Sequence, residues 1–263
     1  MMDHTYWKQQ TVSKPLFPDI EWSRPERRDQ AGRLGIIGGN KLGFSGVAAS
    51  YEAALQTGAG EVRVLLPDAL RGTIPRTITD TIYSTSTPSG SLASDALVDM
   101  LALGSWSNGI LLAGDAGRNS ETAIVYERFL QQYTGPVTIT RDAVDLVKNT
   151  AHTLVDRPSI TLVMAFAQLQ KLLQSVYYPK ILTFSMQLMQ LVDVLHKFTI
   201  TYPITIVTFH RERLIVAHGG DVVTHEFNDP MLIWRGVTAT RAASYLLWSP
   251  SRPLEAIATS FVH

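Results

Sequence analysis

The sequence contains no cysteine, and this absence excludes several kinds of chemistry at once. Disulfide bonds, thiolate metal sites and cysteine nucleophiles cannot be formed. The seven histidines are dispersed, without the HxxxH or HExxH spacing that is typical of zinc enzymes. The GxSxG motif of serine hydrolases is missing as well. We therefore expect no metal-binding residues and no serine hydrolase.

Net charge and long apolar runs are absent too. The 23 lysines and arginines balance 23 aspartates and glutamates, so no overall field attracts a polyanion. The arginines between residues 24 and 33 are interspersed with Glu26 and Asp29, which indicates a solvated lead-in segment rather than a nucleic-acid patch. The most apolar region, residues 160–173, is too short to span a membrane, and residues 1–22 contain no signal-peptide run. These features predict a cytoplasmic protein that binds neither nucleic acid nor membranes.

Short apolar runs alternate along the chain with segments of helical periodicity. The apolar runs predict strands at residues 34–37, 61–66, 109–113, 136–140 and 204–209, and two short strands at 214–217 and 222–225 around a glycine pair. Helices are predicted at residues 45–56, 120–131, 142–148, 162–173, 185–198, 231–248 and 254–261. This alternation predicts an α/β fold in one domain, residues 1–263, with a mostly parallel central sheet covered by helices on both faces and a late β-hairpin. Residues 1–30 form a lead-in without assigned structure, and His196 is expected at the surface of its helix.

Two glycine-containing loops directly follow predicted strands. Residues 38–46 read GGNKLGFSG, with Ser45 as the expected N-cap of the next helix, and residues 113–118 read AGDAGR. Glycine lets backbone N–H groups approach a ligand closely, and a helix N-terminus favours an anion. Neither loop has the Walker A or GxGxxG pattern. Each loop is therefore either a ligand-binding loop or an ordinary turn.

A longer pattern surrounds the first of these loops. Residues 32–39 (GRLGIIGG), 44–46 (FSG) and 52–64 (EAALQTGAGEVRV) resemble the N-terminal signature of the ADP-dependent NAD(P)H-hydrate dehydratases, GGS…YSGA followed by AALRTGAGLV. These enzymes belong to the ribokinase-like superfamily and repair the hydrated cofactors NADHX and NADPHX. The resemblance implies a ribokinase-like fold, ADP or ATP with Mg²⁺ as cofactors, a nicotinamide nucleotide as substrate, and a homo-oligomer such as a tetramer.

The same resemblance implies a set of site residues in two groups. The implied substrate-binding residues are Gly39, Asn40, Ser45, Gly46, Val47, Gly117 and Asp142. The implied nucleotide-binding residues are Asn228, Gly236, Val237 and Thr238. The family's catalytic aspartate falls near Thr238, so no catalytic residue is assigned.

Five later motifs of the family are incomplete or missing in this sequence. The GPGLG turn keeps only Gly117, and the DADALN segment begins with Thr140 in place of its first aspartate. The TPHxGE segment has Ala165 for its histidine and Gln168 for its glutamate, and no lysine of the KG motif lies near residues 208–211. The GTGD motif is replaced by Gly236, Val237 and Thr238.

These departures affect the chemistry directly. A threonine hydroxyl is not a base near neutral pH, and loss of an acid–base group typically costs about 10²–10⁴ in rate. Either catalysis has been lost, leaving a pseudoenzyme that binds a nucleotide or a partner, or Asp142, Asp221 or Asp229 replaces the missing base. We favour the loss of catalysis because several of these motifs fail together. A small-molecule kinase of the ribokinase superfamily is a further alternative, although it needs the same missing GxGD motif.

Overall fold

A ten-stranded sheet organises the part of the chain that the computed structural model describes, residues 5–75 and 77–262. Its spatial order is β1-β10-β9-β8-β7-β6-β5-β2-β3-β4. Only β9 is antiparallel to its neighbours among these ten strands, and all other pairs are parallel. The strands are β1 (Trp7–Gln10), β2 (Arg33–Gly38), β3 (Glu61–Pro67), β4 (Thr81–Ser84), β5 (Gly109–Gly114), β6 (Val137–Thr140), β7 (Ile160–Met164), β8 (Thr205–His210), β9 (Arg213–His218) and β10 (Asp221–Glu226).

Helices cover both faces of this sheet. They are α1 (Ser45–Thr57), α2 (Leu97–Trp106), α3 (Ser120–Gln132), α4 (Asp142–Leu146), α5 (Ala151–Val155), α6 (Phe166–Ser175), α7 (Leu188–Thr201), α8 (Met231–Trp234), α9 (Val237–Trp248) and α10 (Pro253–Ser260). Apolar residues of α1, α9 and α10 form one buried cluster, and those of α2, α3, α6 and α7 form another on the opposite face. The predicted fold class, a mostly parallel sheet between helical layers with a late β-hairpin (β9 and β10), is confirmed.

The helix predicted at residues 162–173 is wrong in its first part. Residues Ile160–Met164 form the buried strand β7, and the helix begins only at Phe166. The run Ile-Thr-Leu-Val-Met is apolar and rich in β-branched residues, so periodicity does not distinguish a buried strand from a buried helix. Pairing with both β6 and β8 decides for the strand.

The helix predicted at residues 231–248 is also wrong, because two helices occupy this segment. Helix α8 ends at Trp234, and α9 begins after Gly236, which adopts a φ of +86°. Only glycine adopts this backbone conformation without strain. Gly236 thus turns the chain so that α9 starts in a new direction.

Four further elements were not predicted from the sequence, and one side chain was misplaced. These elements are strand β1, inside the predicted lead-in, which pairs in parallel with β10, strand β4, and helices α2 and α5. Most positions of α2 are apolar, which weakens its helical periodicity. His196 is not a free surface residue, since it is partly buried, stacks on Tyr6 and bonds the carbonyl of Gly220.

Candidate functional site

A cleft of about 890 Å³ lies at the carboxyl ends of the parallel strands β5 to β8. Open sheets of this type bind their ligands at this edge, and the volume suits a small molecule. The lining residues lie at the carboxyl ends of these strands or just after them, and others come from the loop before α7 and from the end of α8. They are Asp115, Thr140, Arg141, Asp142, Asp145, Val163, Ala165, Phe166, Ala167, Gln168, Phe184, Phe209, His210, Arg211, Ile233 and Trp234.

An ion pair forms the inner end of the cleft. The Nη2 atom of Arg141 lies 2.6 Å from Oδ1 of Asp115. The other carboxylate oxygen, Oδ2, accepts a hydrogen bond of 2.6 Å from the backbone N–H of Gly46. The Asp115 carboxylate therefore binds the N-terminus of α1, where a helix dipole favours an anion. The expected N-cap, Ser45, does not cap this helix: it is exposed and already helical, and Phe44 takes the cap position without a side-chain bond.

The guanidinium of Arg141 fills the space where two helices begin. A Cβ atom at Gly46 would overlap Nη1 of Arg141, and a Cβ at Gly236 would lie 3.6 Å from Cδ of Arg141. The starts of α1 and α9 therefore lie side by side against one arginine. Nη1 is buried there and makes no hydrogen bond to the described residues. Space that could hold the anionic group of a ligand at these helix termini is occupied by a protein side chain.

The predicted substrate-side residues surround this ion pair but are bonded mainly to the protein. The Asn40 amide donates to the carbonyl of Asp115, and its Oδ1 accepts from Leu42. Gly39 donates its N–H to the carbonyl of Gly114 over 2.9 Å. Asn40, Gly39, Gly46 and Val47 are buried, and among the seven predicted residues only Asp142 lines the cleft.

Asp142 is the carboxylate with the most constrained environment in the cleft. Burial raises its pKa, while hydrogen bonds from the backbone of Gly117 and of Asp115 oppose this shift. The bond from Gly117 to Oδ2 measures 3.1 Å. The other two candidate bases lie elsewhere. Asp221 is the first residue of β10 and lies at the edge of the sheet opposite the carboxyl ends that form the cleft. Asp229 is exposed, and its side chain accepts a hydrogen bond from the N–H of Met231.

Gln168 lines the cleft and connects the start of α6 to the start of α4. Its Nε2 donates to the carbonyl of Arg141 over 2.8 Å and to Oδ2 of Asp145 over 2.7 Å, and its Oε1 accepts from the N–H of Ala165. A glutamate, which the resemblance would place here, has no hydrogen to donate to a carbonyl or a carboxylate when ionised. The glutamine is therefore required by this arrangement, which holds Arg141 at its positive φ of +58°.

Aromatic side chains form the outer walls of the cleft. Phe166 stacks on His210 with ring centroids 4.9 Å apart and contacts Phe184 at 5.0 Å. Phe184 and Trp234 are 64% and 59% exposed, and Phe209 completes the lining. The sequence reasoning missed this group because its members come from four segments that only the fold brings together.

A tight turn between β8 and β9 forms part of the rim. Its two central residues, Arg211 and Glu212, both have positive φ, +48° and +60°. Two-residue hairpins with this geometry normally contain Asn-Gly, because side chains other than glycine or asparagine are strained there. Arg211 donates from Nη2 to the carbonyl of Ser185 over 2.7 Å and so connects the turn to the loop before α7.

The predicted nucleotide-side residues lie beside the cleft but do not line it. Gly236, Val237 and Thr238 are at the start of α9, directly after Trp234, and Asn228 is exposed in the preceding loop. Thr238 is only 4% exposed. Within residues 5–75 and 77–262, no group of three His, Cys, Asp or Glu side chains is arranged to hold a metal ion.

Comparison with known proteins gives a fold but no close relative. No protein-family model matches the sequence, and no curated protein matches it. The structure is similar to a ribokinase-like superfamily protein from Enterococcus faecalis, with a TM-score of 0.75, 16% identity, and 99% of this chain and 87% of that chain covered. It is also similar to the ADP/ATP-dependent NAD(P)H-hydrate dehydratase of Bacillus subtilis, co-crystallised with ATP and Mg²⁺, with a TM-score of 0.62, 11% identity, and coverage of 94% and 85%.

A kinase shares the same architecture at a lower level of similarity. The pyridoxal kinase of Staphylococcus aureus has a TM-score of 0.54 at 10% identity, with 87% of this chain and 84% of that chain covered. The protein therefore has a ribokinase-like fold, as predicted, and a dehydratase of the expected family is among the structures that share it. No helix in the described part of the chain is long and apolar enough to cross a membrane.

Proposed function

We propose that this protein is a divergent relative of the ADP/ATP-dependent NAD(P)H-hydrate dehydratases that binds a small ligand in its cleft but has lost the dehydration activity. The observation that carries the proposal is the position of Arg141. Its guanidinium lies against Gly46 and Gly236 and is paired with Asp115. Helix N-termini that could receive a phosphate are therefore occupied from within the protein.

The start of α9 supports the same conclusion. Thr238 stands where the family resemblance places the catalytic aspartate, and the residue is almost fully buried. Val237 adds a β-branched side chain where a glycine would let the backbone approach a phosphate. Removing both the base and the anion-binding backbone is expected to cost more than the roughly 10²–10⁴ that follows from loss of an acid–base group alone.

The family's cofactors do not fit the residues that are present. A nucleotide with Mg²⁺ would supply phosphoryl activation of the substrate hydroxyl. Among the described residues, the guanidinium groups on the cleft are those of Arg141, which is paired with Asp115, and Arg211, which bonds the carbonyl of Ser185. Because Asp142 and Asp145 also face the cleft, a polyphosphate would meet carboxylates rather than free cations.

An active dehydratase is the alternative that a specific observation favours. Asp142 lines the cleft, and its raised pKa is a property of many catalytic bases. Its carboxylate, however, already accepts backbone hydrogen bonds from Gly117 and Asp115. A ribokinase-like kinase needs the same base and anion-binding backbone at α9, so the same substitutions argue against it.

The direct test is recovery of NADH from NADHX by the purified chain, with ADP, ATP or no nucleotide, in the presence of Mg²⁺. The Bacillus subtilis dehydratase serves as the positive control, and circular dichroism shows that the chain is folded. We expect no nucleotide-dependent recovery. Recovery that disappears in an Asp142→Asn variant would contradict the proposal and identify Asp142 as the replacement base. The homo-oligomer and the cytoplasmic location expected from the sequence remain predictions.

A further inference from the structure

We infer that the cleft selects a planar organic cation, a flat aromatic ring system that carries one positive charge, over neutral, anionic or phosphorylated ligands of the same shape. This inference rests on the proposed ligand-binding function and names the chemical class of the ligand. It follows from three features of the cleft, namely its aromatic walls, its excess of carboxylates over cationic side chains and its size.

The walls are suited to a flat ring. Phe166, Phe184, Phe209 and Trp234 all line the cleft. Phe184 and Trp234 are more than half exposed, although large aromatic side chains are normally buried in a core or an interface. They come from separate elements, the loop before α7 and helix α8, and meet at one cleft mouth. A ring that enters there can stack on aromatic faces, and these faces attract cations.

The charged residues that line the cleft have the complementary sign. Among the described residues they are three carboxylates and two guanidinium groups, Asp115, Asp142, Asp145, Arg141 and Arg211, which together carry a formal charge of −1. Asp115 is neutralised by Arg141, and Arg211 lies at the rim on the carbonyl of Ser185. The negative charge that remains therefore belongs to Asp142 and Asp145.

Among the described residues that line the cleft, no lysine or arginine forms an ion pair with either of these two carboxylates. Lys171 is 3.9 Å from Oδ1 of Asp145, and its side chain is 62% exposed, so this pair is weak. Burial is the main influence on Asp142 and raises its pKa, whereas the positive charge of Arg141 lowers that pKa to a smaller extent. A bound cation would compensate the desolvated carboxylate, and an anion would add to the repulsion.

The size of the cleft accommodates a bicyclic ring. Its volume of about 890 Å³ lies within the range of roughly 300–1,000 Å³ that is usual for small-molecule sites. The guanidinium of Arg141 already fills the space between the starts of α1 and α9. The rest of the cleft is therefore bounded mainly by apolar and aromatic side chains. A polyphosphate chain would have no complementary surface at this end.

The test is a calorimetric titration at pH 8 with three probes of matched shape, 1-methylquinolinium, 4-methylquinoline and quinoline-4-carboxylate, which carry charges of about +1, 0 and −1. We expect the cation to bind roughly three- to ten-fold more tightly than the neutral ring, as a cation–π contact predicts, and the anion to bind most weakly. ADP and ATP, with and without Mg²⁺, are titrated alongside and are expected to bind more weakly than the cation.

Variants separate the two causes of this preference. Trp234→Ala, at an exposed position, is expected to weaken the cation and the neutral ring together. Asp142→Asn is expected to remove most of the preference for the cation and to keep neutral-ring binding. Asp145→Asn provides the same measurement at a more exposed residue if Asp142→Asn does not fold. Asp156→Asn makes the same charge change at an exposed position outside the cleft and should leave the preference unchanged.

The outcomes distinguish this inference from the proposed function. Equal binding of the three probes, or tightest binding of the carboxylate or of a nucleotide, overturns the inference and leaves a ligand-binding cleft. Absence of binding by every probe and nucleotide overturns the ligand-binding part of the proposed function as well. Turnover of NADHX would overturn the loss of catalysis without affecting the measured order of the probes.

Discussion

Arg141 and Asp115 form an ion pair although both residues adopt backbone conformations that favour glycine. Their φ angles are +58° and +53°, and the joined atoms lie 2.6 Å apart. A sparsely populated conformation with positive φ costs a non-glycine residue roughly 1–3 kcal/mol. Such strain persists only where the surroundings impose it. Here the bond from Gly46 to Asp115 and the bond from Gln168 to the Arg141 carbonyl hold the two side chains at the start of α1.

We predict that Gly46→Ala changes the free energy of unfolding in opposite directions when Arg141 is present and when it is replaced by alanine. Replacing a helical glycine by alanine normally stabilises a protein, by about 0.5–1 kcal/mol. Gly46→Ala should instead lower the free energy of unfolding by about 1–3 kcal/mol, because the new methyl group displaces the guanidinium and leaves Asp115 without its partner. In an Arg141→Ala background the same change should be stabilising. Urea denaturation of the four proteins measures both effects, and a stabilised Gly46→Ala in the otherwise unchanged chain would refute this placement of Arg141.

The turn between β8 and β9 should be less stable with Arg211 and Glu212 than with residues that favour a positive φ. Changing Arg211 and Glu212 together to Asn-Gly is expected to raise the free energy of unfolding by about 1–2 kcal/mol, since both φ angles are positive. Glu212→Gly alone keeps the bond from Arg211 to Ser185 and should yield about half of that gain. Chemical denaturation provides the comparison. If neither variant raises the free energy of unfolding, the backbone of the turn is not strained in the unchanged protein.

Tyr126 has a buried hydroxyl without a hydrogen-bond partner among the described residues. Its burial raises the pKa of the phenol far above the ordinary value. Tyr126→Phe is therefore expected to leave stability unchanged or to raise it by about 1 kcal/mol, because an unsatisfied buried group is removed. Tyr245→Phe is the matched control. It removes a hydroxyl that donates to Glu21 over 2.6 Å and should cost about 1 kcal/mol. The same direction of change in both variants would contradict the expectation.

Asp142 should make stability depend on pH with a definite sign. Burial raises its pKa in the folded protein above the value of about 3.9 for an unfolded aspartate. Its contribution to stability is therefore complete below that value and is lost as the pH rises through the folded pKa. Relative to Asp142→Asn, the unchanged protein should lose stability as the pH is raised from about 4 to 8. Unfolding curves at several pH values measure this difference, and a gap that widens in favour of the unchanged protein would refute the assignment.

The fold could be predicted because its evidence is local. The apolar runs at β2, β3, β5 and β8 and the periodicity of α1, α3 and α7 lie within single segments, and a buried parallel strand needs little more than continuous apolar residues. The errors occurred where local evidence is ambiguous. The run Ile160–Met164 became a strand only through its two neighbours, and β1 depends on an edge of the sheet that forms more than 200 residues further along the chain.

The sequence alone determined that the chain has an α/β fold of the ribokinase-like type, that it has no cysteine chemistry, and that Thr238 stands where the family resemblance places a carboxylate. Only the tertiary structure decided what occupies the site. The partners of Asp115 are Gly46 and Arg141, 69 and 26 residues away in the chain, and the aromatic walls come from four separate segments. Hydrogen bonds, ion pairs and stacking act over a few ångströms in space, so residue spacing in a sequence does not reveal which groups they join.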